Sequence, residues 1–234
     1  MRVVIKASGQ TLAGTDGFGL DPTAVMALAD EIVAASNLAE VAVVIGGGNI
    51  LRGRDNETFG IGRVEADNVG MLGTAINALV LRGAISSKST REVRVMSALP
   101  MASVAEPYIR LRAMRHLEKG RIVVLACGIG QPFMTTDYPS VQRAIELEAD
   151  VLLAAKNGVD GVYDSDPQTN RDAVRYDTVS YDEVLAKGIT VMDPAAFILA
   201  KAHALPIRVF DSTAVGAMAG ILSGEPIGTL ISGD

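Results

Sequence analysis

The run VAVVIGGGNILRG, residues 41–53, decides the fold. Five small or branched apolar residues without polar alternation read as a strand buried on both faces, and the three glycines behind them mark a sharp turn at its carboxyl end. Outward from it, runs of the same kind fall at residues 2–6, 94–97, 121–126, 150–154, 207–210 and 229–231. Helical patterns separate them. Asp21 is placed to cap a helix with Pro22 at its first position and Val25, Leu28, Ala29, Ile32 and Val33 at helical spacing. Ser180 and Glu183 stand like a capping box, with Gly188 as a stop. The alternation predicts an α/β fold, a mostly parallel sheet with helices on both faces. Residues 157–170, rich in turn formers, read as a hairpin or loop. One domain spanning 1–234 is expected, with that loop separating an acceptor-binding part (about 1–150) from a nucleotide-binding part (about 151–234).

The chain has 234 residues, 49% of them hydrophobic, enough for a sizeable core. Its single cysteine, Cys127, excludes a disulfide framework and reads as a buried thiol. With 21 Lys and Arg against 27 Asp and Glu, the formal charge of -6 argues against a nucleic-acid partner. It does not argue against mononucleotides, whose phosphates a few amides and cations can hold. Lys6 interrupts the first apolar run too early for a signal peptide, and no apolar window approaches the length of a membrane span. The expected location is cytoplasmic.

Gly46, Gly47, Gly48 and Asn49 read either as a phosphate cradle, where backbone amides meet an anion with no Cβ in the way, or as a flexible turn. Arg52, four residues past Gly48, weighs toward the cradle, because its guanidinium can engage the same phosphate. Lys6 ends the first strand ahead of Ala7, Ser8 and Gly9, so its ammonium should project beyond the strand ends, where parallel sheets bind ligands. A third cluster, GIGQPFMTTD at 128–137, follows another strand and offers glycine amides, two hydroxyls and a carboxylate at a helix start. P-loop and dinucleotide fingerprints are absent, as are metal-ligand spacing and a serine elbow. His116 is expected on a solvated helix face and His203 near a helix C-terminus.

Taken in order, KASG (6–9), GTDGFG (14–19), GGGNILRG (46–53), ADNVGMLGT (66–74), GIGQPFMTTD (128–137) and KNGVDGVYDSDP (156–167) resemble bacterial UMP kinases of the amino acid kinase superfamily. The resemblance covers essentially the whole chain and implies a three-layer α/β/α sandwich around a largely parallel sheet of about eight strands. It implies transfer of the γ-phosphoryl of ATP to UMP, with Mg²⁺ brought in as MgATP and no direct protein ligand assigned to it. Lys6, Arg52 and Asp137 are the catalytic candidates. Lys6, Ala7, Ser8, Gly9, Gly48, Arg52, Asn157, Tyr163 and Asp166 would bind ATP. Gly47, Asp67, Ile129, Gly130, Gln131, Pro132, Phe133, Met134, Thr135 and Thr136 would bind UMP. The loop of Gly14, Thr15, Asp16, Gly17, Phe18 and Gly19 would bind GTP as an activator, with UTP as inhibitor, in a homohexamer built from dimers. Gln10, Leu51, Ala66 and Val69 depart from the usual wording of these motifs, and none of the four removes a charged contact. A kinase of small carboxylates or carbamate would use the same cradle, but Asp67 facing the acceptor would repel a carboxylate. A non-catalytic nucleotide sensor on the same fold is the other rival.

Overall fold

Each expected strand forms, and the central ones, apolar on both sides of the chain, are covered from both sides, while Arg94 and Arg208 stay partly exposed on strands farther out. The structure, a computed structural model, describes residues 1–51, 60–165 and 169–233. Its strands are β1 (Arg2–Ala7), β2 (Glu40–Ile45), β3 (Val93–Ser97), β4 (Glu106–Pro107), β5 (Ile122–Ala126), β6 (Val151–Lys156), β7 (Thr178–Val179), β8 (Ile207–Asp211) and β9 (Thr229–Ile231). They form one nine-stranded sheet ordered β4-β3-β5-β2-β1-β6-β8-β9-β7, parallel throughout except for β8 against β9. The nine strands stand against seven apolar runs read in the sequence and about eight implied by the resemblance. Both unexpected strands, β4 and β7, are two residues long, too short to leave a sequence pattern.

The described helices are α1 (Pro22–Ser36), α2 (Arg63–Lys88), α3 (Arg110–Glu118), α4 (Asp137–Glu146), α5 (Tyr181–Ala186), α6 (Pro194–Ala202) and α7 (Ala217–Leu222). Strand alternation sends Val3, Ile5, Val41, Val43 and Ile45 to one face, where α1, α2 and α7 cover them. Val4, Ala42, Val44, Leu152 and Ala154 point to the other, under α3, α4, α5 and α6. The result is a three-layer α/β/α sandwich. Asp21 caps α1 by accepting the Ala24 N–H at 2.7 Å. Ser180 caps α5 by accepting the Glu183 N–H at 3.1 Å, but Glu183 turns outward to Lys187 at 2.8 Å, so the capping box closes on one side only.

Two expectations change. His116 is buried on the sheet-facing side of α3, beside Ala113 and Leu117, with Nε2 3.1 Å from Glu106 and Nδ1 3.0 Å from Arg121. The ion-paired neighbours supply what a solvated face would have supplied. The second concerns α2, which at 26 residues and a mean hydropathy of 1.4 over its best window is long and apolar enough to cross a membrane. That apolar character instead serves the core, where Ala66, Ala78, Leu81 and Ile85 are fully buried. His203 terminates α6 as expected, and Cys127 is fully buried. Between 157 and 170 the described chain runs without a named strand, and Tyr163 makes an isolated antiparallel bridge to Arg175.

Candidate active site

Lys6 and Lys156 lie at the carboxyl ends of neighbouring strands, β1 and β6, where Lys6 pairs in register with Ala154. Even-numbered residues of both strands face the α3–α6 layer, so both ammonium groups project toward the start of α4. Asp137 opens that helix. Its Oδ1 lies 3.0 Å from Lys6 Nζ and 3.6 Å from Lys156 Nζ, and its Oδ2 accepts the Asp193 N–H at 3.3 Å. Lys6 and Asp137 are buried, 6% and 8% exposed, so this is an interior cluster and not a snorkelling strand-end lysine. Burial works to raise the Asp137 carboxyl, but Lys6, Lys156 and the Asp193 amide outweigh it and hold it below the usual range. Burial, helped by the charge of Lys6 and opposed by Asp137, pulls the Lys156 ammonium down to about 8.

The glycine turn stands over the same strand ends. Gly46 extends the sheet by donating to Ala7 O at 2.9 Å, and Ser8 Oγ accepts the Gln10 N–H at 3.3 Å to cap the 3₁₀ turn Gly9–Leu12. A Cβ on Gly9 would lie 2.8 Å from Gly48 N and 2.9 Å from Gly46 O, so the KASG and GGGN turns touch only because both are glycine-rich. Gly47 is needed for a different reason: a Cβ there would meet Gly70 O and come 3.0 Å from Thr74 N on α2. Asn49 and Asn77, both fully buried, lock this contact. Asn77 Nδ2 donates to Gly46 O and to Asn49 Oδ1, both at 2.7 Å, while Asn49 Nδ2 donates to Gly19 O at 2.7 Å.

Between the glycine turn, α2 and the 128–137 segment lies a pocket of about 280 Å³. Of the residues expected to bind the acceptor, Gly47, Asp67, Ile129, Gln131, Met134, Thr135 and Thr136 line it, as does Gly48. Gly130, Pro132 and Phe133 do not; they shape the turn, Gly130 at φ 75° and Phe133 at φ 66°. Asp67 is already engaged, accepting from Arg63 Nε at 2.9 and 2.8 Å and from the Phe133 N–H at 2.8 Å. Thr135 donates to Asp193 and accepts the Asp137 N–H at 3.1 Å, which joins the pocket wall to the lysine cluster.

Other expected residues lie apart. Asn157 lines a cleft with Gln10, Thr11 and Ser212, and Tyr163 lines another with Lys187 and Ile189. The Tyr163 hydroxyl donates to Asp160 at 2.7 Å. Arg52 and Asp166 lie outside the described residues. In the 14–19 loop, Gly14, Thr15 and Asp16 form a 3₁₀ turn, Gly17 and Gly19 take φ of 68° and 74°, and Phe18 is 73% exposed. The sequence reading missed Lys156, Arg63, Asn77 and Asp193. Lys156 carried a usable signal, since a lysine closing an apolar run before Asn157 and Gly158 repeats the pattern of Lys6 before Ala7 and Ser8.

A buried lysine and a partly buried one, bridged by a carboxylate beside glycine turns at the ends of parallel strands, form a site suited to phosphoryl transfer. Residues 1–211 match the model of the amino acid kinase family, and the chain belongs to that family. Within it, the chain is 56% identical over 231 residues to the uridylate kinase of Frankia alni, covering 98% of this chain and 90% of that protein. The crystal structure of UMP kinase from Bacillus anthracis superposes with a TM-score of 0.97 at 52% identity, covering 100% of this chain and 96% of the other. That of UMP kinase from Ureaplasma parvum gives 0.94 at 33% identity, covering 100% and 99%.

Proposed function

We infer that the chain is a uridylate kinase, moving the γ-phosphoryl group of ATP onto UMP to give UDP and ADP. The observation that carries this reading is the Lys6–Asp137–Lys156 cluster against the wall of the 280 Å³ pocket. Similarity to uridylate kinases over nearly the whole chain supports it. A phosphate oxygen of UMP is already anionic near neutral pH, so attack on the γ-phosphorus needs no general base. The protein's task is then to hold two polyanions in line and balance the charge between them. Lys6 and Lys156 supply that charge, and Asp137 fixes their spacing. Asp137 is shared by two lysines, which suits a Mg²⁺ held by the phosphates of ATP. When bound, it would add charge neutralisation at the phosphates.

On the same reading, residues 1–150 bind UMP and residues 151–234 bind ATP, with Arg52, Asn157, Tyr163 and Asp166 completing the donor side. GTP activation and UTP inhibition would act through the 14–19 loop, which Asn49 ties to the glycine turn. A homohexamer built from dimers, in the cytoplasm, belongs to the same reading, and an apolar stripe on the outer face of α2, with Val69, Leu72, Ile76 and Val80 all exposed, offers a surface for subunit contact. The test is phosphoryl transfer from ATP to a panel of UMP, CMP, dTMP, aspartate, glutamate and carbamate. UDP formation should dominate; faster turnover of a carboxylate or of carbamate would overturn the assignment.

A further inference from the structure

Arg63 is poorly placed for the stability of its own helix. It occupies the first position of α2, where a cation meets the positive end of the helix dipole. It precedes Asp67 by four residues, the less favourable order for a helical ion pair. Its side chain is 47% exposed, so the pair contributes little to folding. The geometry is nevertheless specific. Arg63 Nε reaches both Asp67 oxygens at 2.9 and 2.8 Å, and its guanidinium carbon lies 5.7 Å from the centre of the Phe133 ring. The Phe133 N–H donates to Asp67 Oδ2 at 2.8 Å, and Arg63 and Asp67 both line the pocket.

We propose that Arg63 is a positioning residue for the acceptor: it fixes the Asp67 carboxylate and cancels its charge, so that a pocket built to accept ribose hydroxyls does not repel the phosphate of the same substrate. The proposal rests on the uridylate kinase reading. A bare carboxylate suits hydroxyl donors, yet it opposes entry of a nucleotide carrying up to two negative charges. Paired with Arg63, the carboxylate keeps lone pairs for hydroxyls while the pair is neutral overall. Stacking on Phe133 extends this control to the 128–137 wall, so substrate meets a pocket whose two sides are already joined.

The experiment compares wild type, Arg63→Ala, Arg63→Lys, Asp67→Asn and the Arg63→Ala/Asp67→Asn double variant in steady-state kinetics at low and high ionic strength, with thermal melts alongside. Arg63→Ala is expected to raise the KM for UMP by about tenfold at low salt, with less effect at high salt because unbalanced repulsion is screened. The KM for ATP should stay close to wild type, and Arg63→Lys should restore most of the loss. Asp67→Asn should also raise the KM for UMP selectively. The double variant should rise by less than the product of the single effects, since Arg63 then has no charge to balance. An unchanged UMP KM in Arg63→Ala, a salt-independent rise shared with ATP, or fully multiplicative single effects would overturn the proposal. A wild-type enzyme that makes no UDP would instead overturn the kinase reading itself.

Discussion

The charge that Lys156 brings to Asp137 is titratable close to neutrality, because burial has drawn its ammonium down to about 8. A lysine with a lowered pKa is fully charged below that value and loses its proton as pH rises through it. Since kcat/KM reports groups of the free enzyme, kcat/KM for ATP is expected to fall on the alkaline side of about 8. Lys156→Arg keeps a cation at every accessible pH and should flatten that limb, at some cost in absolute rate from its different shape. A wild-type profile still level at about pH 9.5 would remove Lys156 from the transfer step. At this scale the sequence was half legible. Lys6 could be read because KASG follows it, and Asp137 because it stands at a helix start. Lys156 escaped because the strand expected at 150–154 stops two residues short of the end of β6, which leaves the lysine in the turn that follows. Only the register of β6 against β1 reveals that the two lysines share a face.

Among the elements, α2 does the most to hold the site, and it does so through one polar pair in an apolar setting. Asn77 sits between Ile76 and Ala78 and joins the glycine turn, while Asn49 joins the 14–19 loop. Removing Asn77 takes the donor from Gly46 O and leaves Asn49 only Gly19 O, while removing Asn49 leaves Asn77 only Gly46 O, at about 1–3 kcal/mol for each buried group left short. Asn77→Ala and Asn49→Ala are each expected to lower unfolding free energy by about 2–4 kcal/mol in urea denaturation, with the double variant losing less than the sum. Fully additive losses would mean the two asparagines do not act as a pair. GGGN pointed to Asn49, but its partner lies 28 residues away on a helix whose inner face becomes known only when the sheet is assembled. His116 was misplaced for the same reason.

For the whole molecule, the parallel sheet was legible from its unbroken apolar runs, but strand order was not, since a run of valines says nothing about which run lies beside it. The outer stripe of α2 could not be separated from its inner face either, because apolar residues cover both. That stripe carries the prediction at this scale. On the proposed assembly, Leu72→Glu with Ile76→Glu should give smaller species than wild type by light scattering, since two charges would be buried in an apolar contact. A variant of unchanged mass would place the subunit contact elsewhere. The sheet order also bears on how the chain is made. β1 precedes the other described strands in the chain, yet it ends between β2 and β6, and β6 begins only at Val151. At roughly 5–20 residues per second, one edge of a strand apolar on both faces stays open for about seven to thirty seconds of synthesis. During that interval the nascent chain carries an unpaired edge of the kind that recruits other chains, and the edge closes only once β6, with Lys156 at its end, has been made.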